Sequence, residues 1–190
     1  MSGAAQRAGG PLGPWPGEIT HVFPSQWAAA EEILERAGRA RSVDLLALRG
    51  SEIVGLNDPL REAAAAAPDG DGVRVRVLLL DPDSDAARQR AAGLGEDAES
   101  FLAAIRSAQA QLGELAGQSA RLSVTVHYYA SVPAWRMVVI DGEQYISTLC
   151  AGEADTEAVV YKLAVTTHGA LYQGFQQVFE DLVAGARRVA

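Results

Sequence analysis

The sequence predicts an α/β fold, a mixed sheet with helices packed on its faces. Three observations carry that expectation. Short runs rich in valine and leucine alternate with longer segments of helical period. One run, VRVRVLLLD, changes from strict alternation to a wholly apolar stretch, as a strand does when it becomes covered on both sides. At 48% apolar content, 190 residues can bury a sizeable core in one domain.

Residues 1–18, MSGAAQRAGGPLGPWPGE, are rich in glycine and proline and bury too little apolar surface to offset their ordering entropy. They are expected to form a flexible arm, with a single α/β domain over residues 19–190. Ser25 stands before QWAAAEEILERAGRA, where Trp27, Ala30, Leu34 and Ala37 recur at helical spacing, leaving Glu31, Glu32 and Glu35 to solvent. SVDLLALRG is the first expected strand, closed by Gly50. Ser51 to Ala67 reads as a loop and a short alanine-rich helix, stopped by the turn-forming PDGDG. VRVRVLLLD is the second strand and ends at Asp81-Pro82.

From Ser84 to Gln118 the pattern is helical with a break at GLG, and its second part sets Phe101, Ile105, Ala108, Leu112 and Leu115 on one stripe. LSVTVHYY is a third strand, with Leu122, Val124, Val126 and Tyr128 on one face and Ser123, Thr125, His127 and Tyr129 on the other. RMVVIDGEQYIST reads as a hairpin turning at Asp141-Gly142. A final helix spans Ala170 to Arg188, packing through Leu171, Phe175, Val178, Phe179 and Leu182.

The totals exclude some functions. A formal net charge of −8 argues against direct contact with nucleic acid or anionic lipid. No stretch reaches the roughly 18 apolar residues of a membrane span. Cys150 is the only cysteine, which fits a reducing, cytoplasmic location. GLGEDA matches the letter of a dinucleotide fingerprint, but a helix rather than a strand precedes it, so it reads as a helix break. The one lysine, Lys162, follows Tyr161, so no P-loop exists. His21, His127 and His168 lack metal-ligand spacing, and neither metal nor cofactor is expected. Arg74 and Arg76 alternate with valines as on a solvated face, while Arg36, Arg39 and Arg41 suit a helix carboxyl end.

The order strand, helix, VRVRVLLLDP, helix, LSVTVHYY, then AWRMVVIDGEQYIS resembles one phospholipase D-like half, from Val43 to Cys150. That superfamily carries H-x-K-x-x-x-x-D followed by G-S-x-N, in which the histidine is the nucleophile and the lysine holds phosphoryl oxygens. Here Ala134 takes the histidine position, Arg136 the lysine position and Asp141 the aspartate position; YISTLCAG offers Ser147 and Thr148 but no asparagine. An alanine forms no covalent intermediate, whereas an arginine still grips phosphate or carboxylate bidentately.

The resemblance therefore implies a catalytically inactive module, similar to the sensory modules of bacterial regulators, that binds an anionic small molecule or a regulatory protein partner. It also implies a homodimer, since one such half is ordinarily completed by another. Arg136 and Asp141 would anchor the ligand, with Trp135, Tyr129 and Tyr145 as aromatic walls and His127 and Ser147 beside them. No helix-turn-helix is visible, so any role in transcription is expected to run through a partner. The alternative is an enzyme with a rebuilt site, using His127, Tyr129 or Tyr145, with Cys150 nearby.

Overall fold

A computed structural model describes residues 17–50, 55–68, 71–149, 158–166 and 168–190. The expected arm lies outside them except for Gly17 and Glu18, and Cys150 lies outside them as well. The predicted class is observed: an α/β domain with one mixed sheet of eight strands and helices on both faces.

The centre of the sheet is parallel. β2 (Ser42–Leu46), β3 (Val73–Leu80) and β4 (Leu122–Tyr129) lie side by side in chain order, joined by α2 (Asn57–Ala66) and then by α3 (Asp85–Leu94) and α4 (Ala98–Gly117). Successive crossovers in one direction and of one hand place these helices on the same face, and Arg61 Nε of α2 donates to Gln118 Oε1 at the end of α4 at 2.6 Å. The break at GLG is real: Gly95 closes α3 at φ 69°, and the Asp97 side chain caps α4 by accepting from Ser100 N. All five residues of the expected α4 stripe are buried.

On the other side of β2 the sheet turns antiparallel. β5 (Trp135–Ile140) pairs with β2, β6 (Glu143–Thr148) with β5, β7 (Val160–Leu163) with β6, and β1 (Ile19–Phe23) with β7 at the edge. The β5–β6 turn holds Asp141 at φ 48° and Gly142 at φ 91°, the left-handed pair that a tight hairpin requires. α1 (Gln26–Ala37), capped by Ser25 as expected, packs on the same face as α2. We call this the near face.

On the far face lies α5 (Ala170–Gly185), whose Phe175 meets the Trp135 ring edge-on at 5.1 Å. Instead of reaching Arg188, α5 stops at Gly185, and Arg187–Arg188 form β8, an edge strand on β4. Its buried residues are Tyr172, Phe175 and Phe179, while the expected Leu171 and Val178 are exposed. The strands β1, β7 and β8 carry no sequence period because each is short and is made a strand by pairing, β1 and β8 at the two edges and β7 between β1 and β6.

Two further expectations change. α1 buries Ala29 and Ala37 with Ile33 behind them, while Trp27 is 75% exposed and Leu34 is exposed too. The wheel is rotated, so Glu32 points inward rather than to solvent: it accepts from the Tyr145 hydroxyl on β6 at 2.7 Å and from Lys162 Nζ on β7 at 2.5 Å. Glu18, assigned to the arm, is fixed in place by accepting from the amino-terminal N–H of Tyr172 at 2.7 Å.

Candidate functional site

The strand order reverses direction of travel at β2, with β3 on one side and β5 on the other. In open α/β sheets the crevice beyond the carboxyl end of the strand at such a point is where ligands sit, because neighbouring loops leave it in opposite directions. Here the carboxyl end of β2 is bordered by Ala47 to Arg49, by the start of β5 and by the end of β6. Leu46 pairs with Met137, and Leu149 N donates to Ala134 O at 2.9 Å, so Ala134, Trp135 and Arg136 stand at this edge.

Arg136 and Ser147 are cross-strand partners on the near face, 5% and 3% exposed. A second arginine, Arg90 on α3, is also buried, and no motif around it marks it in the sequence. Arg49 lies over the Phe101 ring at 5.2 Å and pairs with Glu96 at 2.5 Å. Arg136 and Arg90 are thus guanidinium groups held away from water, and Arg49 is held against Phe101 and Glu96.

The other residues expected at this site are elsewhere. Asp141 is at the far end of β5, five residues from Arg136, about 16 Å along an extended strand. Its Oδ1 accepts from Arg41 N at 3.0 Å, Ser42 N at 2.8 Å and Ser42 Oγ at 3.3 Å, so it fastens the hairpin to the amino end of β2. The expected pairing of Arg136 with Asp141 is therefore absent. Tyr145 shares the near face but points its hydroxyl at Glu32, toward α1; burial, then its bond to Glu32, pushes that phenol up.

Trp135, His127 and Tyr129 belong to the far face, across the sheet from Arg136. The expected aromatic wall is split because adjacent strand positions point to opposite faces. Tyr129 is buried and donates to Ala47 O at 2.7 Å. His127 is half-buried, its Nδ1 has no hydrogen-bond partner among the described residues, and burial followed by Arg188 and Arg76 holds its pKa below the usual value. Of the proposed alternative catalytic group, His127 and Tyr129 face away from Tyr145, and no shared pocket joins the three. His168 lies just before α5, and His21 packs on Phe23 in the edge strand.

Arg76 also departs from expectation. It is no part of a solvated face: it makes a two-bond fork to Asp44, at 2.7 and 2.6 Å, and reaches Glu180 of α5 at 2.8 Å. Phe179 lies under its guanidinium at 5.0 Å. Among the described residues no group of three or more His, Cys, Asp or Glu could hold a metal ion, and no helix is long and apolar enough to cross a membrane.

No protein-family model matches the chain, and no curated protein matches it significantly. Solved structures do. TrmBL2, an archaeal chromatin protein whose structure is described as showing a novel mode of DNA binding, aligns with 94% of this chain and 57% of its own at 14% identity and a TM-score of 0.54. A polyphosphate kinase from Porphyromonas gingivalis aligns with 90% of this chain and 24% of its own at 14% identity, with a TM-score of 0.42. This chain thus spans just over half of the chromatin protein, and the likeness is one of fold.

That likeness corrects one expectation. Direct contact with nucleic acid was excluded on the net charge of −8, yet a chromatin protein described by its mode of DNA binding has the same fold. Net charge sums the whole surface, whereas contact with a polyanion depends on the local field, so the exclusion does not stand.

Proposed function

We propose that the chain is a non-catalytic, phospholipase D-like module that binds an anionic small molecule at the carboxyl edge of its sheet and serves a regulatory role. The observation that carries this reading is Arg136: a buried guanidinium at the start of β5, at the sheet edge where the strand order reverses, with Ala134 two residues earlier where the phospholipase D-like enzymes it resembles have their nucleophile. Alanine supplies no electrons to phosphorus, so binding without turnover follows. The single cysteine supports a cytoplasmic location for it.

The test is calorimetric titration with pyrophosphate, citrate and a sugar phosphate, on the wild type and on Arg136→Met with its fold checked by circular dichroism. Wild-type binding should weaken by about 2 kcal/mol or more, near thirty-fold, in the variant. Full affinity in a folded Arg136→Met protein sinks the reading, as does phosphodiesterase turnover lost on that substitution.

A second reading is favoured by the likeness to the chromatin protein over 94% of this chain: a role on DNA, by direct contact or in company with a DNA-bound protein. Fluorescence anisotropy with a labelled duplex at low and physiological salt tests direct contact. Binding that falls steeply with salt supports it, and no binding at low salt removes it.

A further inference from the structure

At the opposite end of β5 the hairpin tip borders a groove of about 530 Å³, within the usual range for small-molecule pockets, between the last turns of α1 and the β5–β6–β7 surface. Glu32, Glu35, Arg36, Arg39, Asp141 and Lys162 line it, and Ile140 is the one apolar contributor. Acids and cations are equal in number there, three against three.

The floor of the groove neutralises itself. Glu32 Oε1 takes Lys162 Nζ at 2.5 Å, the Tyr145 hydroxyl at 2.7 Å and Arg36 Nε at 3.4 Å, and Arg36 also meets Glu143 at 2.7 Å. Burial pushes the Glu32 carboxyl up, but its bonds to Lys162 and Tyr145 outweigh that and hold it below the usual carboxylate range. The rim keeps separated charge. Arg39, with its side chain 79% exposed, holds one contact, to Glu35 at 3.2 Å. Asp141 commits Oδ1 to the β2 backbone and leaves Oδ2 without a partner among the described residues. Arg39 and Asp141 both line the groove, and the backbone two residues after Arg39 is fastened to Asp141 by Arg41 N, which donates to Oδ1 at 3.0 Å.

A ligand of single charge entering this groove would face wall groups of its own sign, and an apolar ligand would find one isoleucine. A ligand carrying both charges a few ångströms apart meets both walls. We infer that the groove binds a small zwitterion of the α-amino acid class, its carboxylate on Arg39 and its ammonium on Asp141 Oδ2. This site is independent of the one at Arg136, from which the length of β5 separates it.

The experiment is a thermal-shift screen of the twenty standard L-amino acids at about 10 mM, followed by calorimetry on the best binder. L-glutamine is the first probe, beside glutaramic acid, which lacks the ammonium, and 4-aminobutanamide, which lacks the carboxylate. The zwitterion should bind, and each truncated compound should bind at least about ten-fold more weakly. Arg39→Gln, at an exposed position, and Asp141→Asn, which keeps the Oδ1 acceptor but removes the charge, should each weaken binding by a similar factor, while Arg136→Met leaves it unchanged. Absence of any shift across the amino acids overturns the inference. So does equal binding of the truncated compounds, or a loss confined to Arg136→Met, which would place the ligand at the other end of the sheet.

Discussion

Replacing Arg76 with methionine should loosen α5 from the sheet. The guanidinium is 21% exposed and holds Asp44, 15% exposed, through two short bonds, together with Glu180 on α5 and the Phe179 face. Methionine keeps much of the stem's packing on Phe179 but leaves Asp44 as a carboxylate shielded from water with no cation. Hydrogen bonds to charged groups contribute about 1.5–3 kcal/mol each when deeply buried. The partial exposure of Glu180, 46%, discounts its share toward that of a surface pair. A net loss of about 2 kcal/mol follows, which for a chain of this length lowers Tm by about 4–8 °C.

The loss is also dependent on pH. Arg76 holds the Glu180 carboxyl below the usual range, so that pair contributes in full above the unfolded value of about 4.3 and fades as pH falls through the lower folded value. Urea denaturation of the wild type and Arg76→Met at pH 7 and at about pH 3 should show a difference that narrows in acid. Adding Asp44→Leu to Arg76→Met should recover part of the stability at pH 7, because the stranded charge is then gone. A variant within about 0.5 kcal/mol of the wild type at pH 7, the ordinary scatter of surface substitutions, would refute the reasoning.

Lys162→Met should cost about 1–2 kcal/mol by denaturant titration, since Glu32 loses its shortest contact while keeping Tyr145. Gly142→Ala should destabilise by about 1 kcal/mol or more, because φ is 91° and a Cβ would stand 3.1 Å from Val165 Cγ2; Gly93→Ala, in α3 with nothing within 4 Å, should stabilise by about 0.5–1 kcal/mol in the same assay. Tyr129→Phe should cost about 1 kcal/mol, through the lost bond to Ala47 O, and leave anion binding at Arg136 unchanged in calorimetry.

Local pattern determined a good deal of this molecule. The switch in VRVRVLLLD from alternating to continuous apolar residues marks a strand covered on one face first and on both later, and β3 is that strand, flanked in the centre of the sheet. The Asp141-Gly142 pair dictated a tight hairpin through left-handed backbone, and the α4 stripe and the Ser25 cap followed from spacing alone. Each of these depends on residues close in the chain, so sequence carries it.

What only the tertiary structure decided depends on which residues far apart are brought together. α1 contains two apolar sets, one with Trp27 and Leu34 and one with Ala29, Ile33 and Ala37, and the small alanines win because they let the helix approach closely enough for Glu32 to reach Lys162, 130 residues on. The candidate site was misjudged for a related reason. Trp135 and Arg136 are neighbours in sequence, but a strand sends them to opposite faces, and the extended β5 carries Asp141 away from Arg136. The short edge strands have too few residues for a period, and pairing alone makes them strands. The net charge fixes a sum, whereas the fold decides where Arg39, Asp141 and Arg136 stand, and ligands respond to position rather than to sums.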